Sequence, residues 1–184
     1  MLEAITPEVI TRAKNGDADV ITNLFKRYRL SVFRYLYYRV GNVQAAEDLT
    51  SEVFLRMLYA LDGYRSQGVP FDAWLFRIAR NLAIDYHRKQ QRQPQVPLQE
   101  YLVAEDQDVV ASVEDNLTSA RLVQALEQLS DIQRDVIVLR FVSSLPIAQV
   151  AQTLHKSDDS IKGLQRRALS ALREILSDGE VHDG

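Results

Sequence analysis

The chain has 184 residues, 46% hydrophobic and 26% charged, enough for one large domain or two small ones and ordinary for a soluble fold. It contains no cysteine, which excludes disulfides and thiolate metal centres and agrees with a reducing compartment. No apolar run approaches the ~20 residues of a membrane span, and the opening MLEAITPEV lacks the basic-then-apolar order of a signal peptide, so a cytoplasmic protein is expected.

Seven glycines and five prolines, with few alternating apolar runs, predict an all-α fold in which strands are rare or absent. Thr6-Pro7-Glu8 combines a capping threonine, a proline at the first helical position and an acid in the first turn; Asn15-Gly16 closes this short helix. Asp17 caps a longer one. Val20, Leu24, Tyr28, Val32 and Leu36 form its apolar row, with Ile21, Phe25 and Phe33 beside it, and Gly41 supplies the stop. Tyr35, Tyr37 and Tyr38 add rings around the last turns, where they either pack or face a partner.

In the next helical segment Ala46, Leu49, Val53, Met57 and Leu61 share one side, with Phe54 and Leu58 alongside. The opposite side carries Glu47, Asp48, Ser51 and Glu52. Paired carboxylates can serve acid–base or metal chemistry. No histidine stands near them, however, and no second acidic cluster follows at ligand spacing, so a solvated or protein-binding face is expected. Gly68 and Pro70 then mark a loop over Tyr64 to Pro70.

Phe71 to Arg88, FDAWLFRIARNLAIDYHR, reads as one helix with two kinds of surface. Phe71, Trp74, Leu75, Ile78, Leu82 and Tyr86 recur at helical spacing and ask for a core, whereas Arg77, Arg80, Asn81, Asp85 and Arg88 fall largely on the remaining side. Bidentate guanidinium donors beside an amide able to read a base edge suit nucleic acid, although a plain solvated helix has the same composition. His87 reads as a surface residue beside Arg88.

The net charge of −3 is unevenly spread, and a phosphate backbone meets local charge rather than the total. Between Gly63 and Gln91 the bases Arg65, Arg77, Arg80, Arg88 and Lys89 outnumber Asp72 and Asp85. From Arg92 to Leu117 the acids Glu100, Glu105, Asp106, Asp108, Glu114 and Asp115 meet no base but Arg92 itself. With Pro94 and Pro97, residues 93–117 read as an acidic flexible linker between a helical domain at 1–92 and a second at 118–177; 178–184 is a short polar tail, after which no further domain is expected. Such a tether averages on the order of 25–30 Å and reaches at most ~80 Å.

In the second domain Leu122, Leu126 and Leu129 form a stripe, and Ser130 or Asp131 caps a helix through Ile132, Val136, Leu139 and Arg140. Pro146 to Leu154 forms another, and after the turn His155-Lys156, Ser157 caps a last helix. In this helix Ile161, Leu164, Ala168, Leu172 and Ile175 face inward while Lys162, Gln165, Arg166 and Arg173 lie mostly outside. A short helix, a tight turn and a longer basic helix make the layout of a helix-turn-helix; an ordinary helical hairpin has similar spacing.

Taken together, AEDLTSEVFLRML, the pattern FxxWLxxIARNxxxDxxR filled by Phe71 to Arg88, and LPIAQVAQTLHKSDDSIKGLQRRALSALR resemble the extracytoplasmic function (ECF) sigma factors of bacterial RNA polymerase. The resemblance covers nearly the whole chain after Gly16. It implies a dissociable promoter-specificity subunit with no chemistry of its own and no cofactor, whose partners are promoter DNA and core RNA polymerase. Many members are also held by an anti-sigma factor. The first domain is implied to bind the polymerase clamp coiled coil and to melt the minus-ten element, the second to bind the minus-thirty-five element.

Residue by residue, the resemblance places polymerase contacts at Glu47, Asp48, Ser51 and Glu52, with Ser51 where the family often carries glutamine. It places minus-ten contacts at Tyr64 and Arg65, in the loop that captures a flipped base, and at Arg77, Arg80, Asn81, Asp85 and Arg88 on the helix that follows, with Lys89 suited to backbone and Trp74 to the core. Minus-thirty-five contacts fall at Arg140, Ser160, Lys162, Gln165, Arg166 and Arg167. His155 stands where glycine is usual, though histidine tolerates positive φ better than most residues. Asp158 and Asp159 suit a helix start but would stand near phosphates, and are expected to weaken or narrow binding there. The acidic linker either imitates nucleic acid inside the polymerase, as in the family, or is simply solvated. The competing reading is a free-standing helix-turn-helix transcriptional regulator that binds duplex without polymerase. A hydrolase or metal enzyme finds no support, because His87, His155 and His182 are isolated and no nucleophile–base pair is visible.

Overall fold

The computed structural model describes residues 5–93 and 113–181, with side chains for 5–93 and 118–178. The stretch 94–112, which holds Pro94, Pro97 and most of the acidic linker, lies outside the described residues, as do residues 182–184; the first part of the expected polar tail, 178–181, instead continues the last helix. Among the described residues the regular elements are helical, as the composition predicts. They run α1 (Pro7–Lys14), α2 (Ala18–Val40), α3 (Val43–Ala60) with a 3-10 turn at Leu61–Gly63, α4 (Phe71–Arg92), α5 (Val113–Glu127), α6 (Asp131–Ile137) extended by a π-helical turn at Val138–Val142, α7 (Ile147–Leu154) and α8 (Asp158–Val181).

The boundaries follow from capping chemistry. Thr6 Oγ1 accepts from the Val9 amide, Asp17 from Asp19 and Val20, and Asn42 from Ala45 at 2.8 Å, each satisfying amides that have no intrahelical partner. Ser130 and Gln133 form a reciprocal capping box at the start of α6. Gly41 ends α2 in the left-handed region at φ 72°. A Cβ there would also lie 3.2 Å from Glu127 and 3.3 Å from Val123 of α5, so a side chain at this position meets both backbone strain and a tight contact. α5 begins at Val113, not at Thr118 as the apolar periodicity suggests. Residues 113–117, counted with the linker from sequence, thus belong to the helix.

Two helical halves result, and they are packed against each other. In the first, Val32, Leu36, Ala46, Val53, Leu75 and Ala79 are buried where α2, α3 and α4 meet; in the second, Leu126, Val136, Leu139, Val150, Ile161 and Ala168 fill the space among α5 to α8. α7 lies against α4, while α5 and the π turn lie against α2, so one apolar cluster runs through both halves. The side of α4 read from sequence as open to solvent is therefore partly covered by the second half. The apolar spacing predicts one helix through Arg140; α6 instead widens into the π turn, which buries Val138 and Leu139 and ends before Ser144 at positive φ.

Candidate nucleic-acid interface

The loop before α4 is anchored from below. Tyr64 is only 5% exposed, its hydroxyl donates to the Val69 carbonyl at 2.8 Å, and its ring lies 4.8 Å from Trp74 and 5.7 Å from Phe71. Burial, and then the nearby Asp72, raise its pKa. Lys14 Nζ donates to the Tyr64 carbonyl at 2.7 Å, a tie from α1 that no sequence pattern announces. Tyr64 thus packs within the fold instead of facing outward, and the exposed part of the loop is Arg65 to Gly68. Arg65 donates back to the Asp62 carbonyl at 3.0 Å. Trp74 packs on Tyr64 and Phe71, in keeping with a core role.

Along α4 the predicted contacts divide. Asn81, Arg88 and Lys89 are exposed and Asp85 is half-buried, with Arg88 3.9 Å from it. Arg77 and Arg80 are half-buried and engaged elsewhere. Arg77 donates twice to the Gln152 carbonyl of α7, through Nε at 3.0 Å and through Nη2. Arg80 Nε lies 2.8 Å from Asp135 Oδ2 of α6.

Asp135 is the centre of this seam. It is 0% exposed, accepts from the Tyr35 hydroxyl at 2.8 Å, and lies 3.0 Å from Arg39 Nε, a contact that is coulombic because the N–H is not aligned on the oxygen. Burial, and then the Asp135 charge, push the Tyr35 pKa well up. The Arg39 carbonyl, at the end of α2, accepts from His87 Nε2 at 2.8 Å and from Arg134 Nη1 at 3.4 Å. His87 is therefore a structural donor, not a free surface residue, and buried Arg134 also reaches the Leu126 carbonyl at 2.9 Å. Burial lowers the Arg134 pKa. Tyr35 takes the packed alternative of the two the sequence offered; Arg39 and Asp135 escaped the sequence reading, but a signal was present. Arg39 continues the Val32–Leu36 row at helical spacing and Asp135 stands in the row of Ile132 and Leu139, so each is a charge placed in core register.

The second half presents a different surface. His155 adopts φ 54° at the end of α7, its N–H bonded to the Ala151 carbonyl, so the turn forms without glycine. Ser157 Oγ accepts from the Ser160 amide at 3.2 Å and starts α8. Lys162, Arg166 and Arg167 are exposed along α8, while Ser160 and Gln165 are half-buried. A shallow groove runs beside Lys162, Gln165, Arg166, Leu169, Ser170 and Arg173. Asp159 lies 3.5 Å from Lys162 and tempers its charge. Arg140 is turned inward, donating to the Leu145 carbonyl at 3.4 Å and lying over the Phe141 ring.

On α3, Glu47, Asp48 and Ser51 are exposed, and Glu52 pairs with Arg56 at 2.9 Å. Leu58, read from sequence as flanking the core side, is 43% exposed, and Tyr59 is 81% exposed. Acids beside exposed apolar side chains make a surface suited to protein contact.

Both halves match families already known. Residues 24–93 match the Sigma-70 region 2 family and residues 125–174 the Sigma-70, region 4 family. The ECF RNA polymerase sigma factor SigW of Bacillus subtilis is 30% identical over 187 residues, spanning 96% of this chain and 100% of SigW. The chain belongs to the ECF RNA polymerase sigma factors. Another ECF sigma factor, BldN of Streptomyces coelicolor, is 39% identical over 173 residues, which are 93% of this chain and 66% of BldN. The solved structure of CnrH in complex with the cytosolic domain of CnrY covers 92% of this chain and 96% of that chain, at TM-score 0.74 and 22% identity, a likeness of fold. As an ECF sigma factor the chain acts in transcription initiation, binding core RNA polymerase and promoter DNA. No described helix is long and apolar enough to cross a membrane.

Proposed function

We propose that this ECF sigma factor divides promoter recognition between the halves: 1–92 docks on the clamp coiled coil through α3 and opens the minus-ten element with the loop and α4, and 118–177 grips the minus-thirty-five duplex with α8. What carries the reading is the pair of exposed polar helix faces, Asn81, Arg88 and Lys89 on α4 and Lys162, Arg166 and Arg167 on α8, one in each half. Opening the duplex means holding bases out of the stack at a cost of a few kcal/mol, offset by stacking and pockets. The amide of Asn81 can read a base edge; Arg88 and Lys89 suit phosphates. The linker makes the second contact intramolecular, so neither half needs high affinity alone. The chain performs no chemistry itself and works in the cytoplasm alongside polymerase, and an anti-sigma protein is a fitting regulator.

The test is initiation in vitro. Core polymerase with the purified chain should start transcripts from a promoter library, and Asn81→Ala should cut permanganate-reactive open complexes about tenfold while core binding is unchanged. Tight duplex binding without any association with core would replace this reading by a free-standing regulator.

A further inference from the structure

We propose that Lys14, at the end of α1 and outside the matched stretch 24–93, is a positioning residue for minus-ten capture: it holds the loop before α4 in one shape from below. This rests on the assignment of that loop to the minus-ten element. A lysine in the last turn of a helix ordinarily serves its own terminal carbonyls. Lys14 instead sends its ammonium across to another segment, 2.7 Å from the Tyr64 carbonyl oxygen and 3.4 Å from that of Asp62. Arg65 donates to the same two oxygens, at 3.4 Å and 3.0 Å respectively. When Arg65 turns to a DNA phosphate, Lys14 keeps both carbonyls satisfied, and the turn beneath the loop holds.

The support is firm at both ends of the loop. Val9, Ile10 and Ala13 are buried where α1 lies against α2 and the 3-10 turn at Leu61–Gly63. Arg12 Nε donates to Asp17 Oδ2 at 2.9 Å, closing the turn between α1 and α2. At the far side the Tyr64 hydroxyl holds the Val69 carbonyl. Between these ties Arg65 to Gly68 are exposed, and a Cβ on Gly68 would meet nothing within 4 Å, so the tip stands in open space and takes its shape from its base. A loop ordered before it binds avoids the entropy of ordering on contact. Hydrogen bonds to a base are directional whereas attraction to a phosphate is not, so a loosened loop loses discrimination between bases ahead of its general affinity.

The full chain with core polymerase is assayed for open complexes and run-off transcripts on promoters that carry each of the four bases in turn across the minus-ten element. Lys14→Met, which keeps the apolar stem, should cut open complexes about tenfold, as for the loss of one hydrogen bond to a charged group. It should also flatten the preference among bases, and Lys14→Arg should restore most of both. Binding to core and to a minus-thirty-five duplex should not change. The cysteine-free sequence allows a spin label at Ser66→Cys, exposed in the loop, and electron paramagnetic resonance should show it more mobile in Lys14→Met. Unchanged open complexes, or a label no more mobile without Lys14, overturn the positioning role. So does an equal loss on every promoter with the base preference intact, which is what a merely stabilising lysine gives. If the unsubstituted chain with core opens no promoter, the assignment of the loop itself falls and this role with it. Should Lys14→Met fail to fold, Lys14→Gln is read by the same criteria.

Discussion

At the scale of single residues, the same side-chain type does opposite work depending on which row of a helix it occupies. Arg39 and Arg134 are buried and bind carbonyls or carboxylates inside the protein, whereas Arg88 and Arg166 are exposed to solvent. Charge near DNA must be exposed to release counterions, so only the second kind contributes to salt-dependent binding. Arg166→Ala should weaken binding to a minus-thirty-five duplex about tenfold and reduce the slope of log affinity against log salt by about 1, measured at matched salt. An unchanged slope would remove Arg166 from the phosphate or base contacts. Sequence alone separated these arginines poorly, because Arg77 and Arg80 share the polar side of α4 with Asn81 and Arg88 and differ only in what another part of the chain lays over them.

At the scale of elements, local chemistry sets the ends of the helices and tertiary packing sets their use. The capping box at Ser130 and Gln133 fixes where α6 starts, and thereby the register that puts Asp135 into the seam. Ser130→Ala should cost about 1 kcal/mol and lower the melting temperature by roughly 2–4 °C in calorimetry. No change would mean that the box adds nothing beyond what water supplies to the exposed amides. α1, α2 and α8 are legible because a capping side chain starts each, and α4 and α7 because a proline precedes each apolar row. The π turn after α6 was not, since nothing in Val138–Val142 distinguishes it from ordinary helix until its neighbours require both Val138 and Leu139 inside.

At the scale of the whole molecule, two buried tyrosines, one in the seam and one within the first half, give stability a dependence on alkaline pH. Tyr35 and Tyr28 are neutral when protonated, and their pKa values are raised in the folded protein, first by burial and then by Asp135 and Asp72 respectively. The stability this confers is present below the ordinary tyrosine value near 10 and is lost as pH rises above it. Between pH ~9 and ~11 the melting temperature of Tyr35→Phe should therefore fall less steeply than that of the unsubstituted chain, even if it starts lower. Parallel curves would show that Tyr35 does not link folding to proton release.

The sequence by itself determined the helices, the inward-facing rows, the division into two halves and the family, because caps, 3.6-residue periodicity and a dense motif are all written within short stretches. Only the tertiary structure decided that the halves close on each other, that Tyr64 is packed, and that Arg77 and Arg80 are engaged by the second half. The physical reason is range. A cap or an apolar row is a relation among residues a few positions apart, whereas Asp135 meets Tyr35 across 100 positions, a pairing set by packing that no local pattern records.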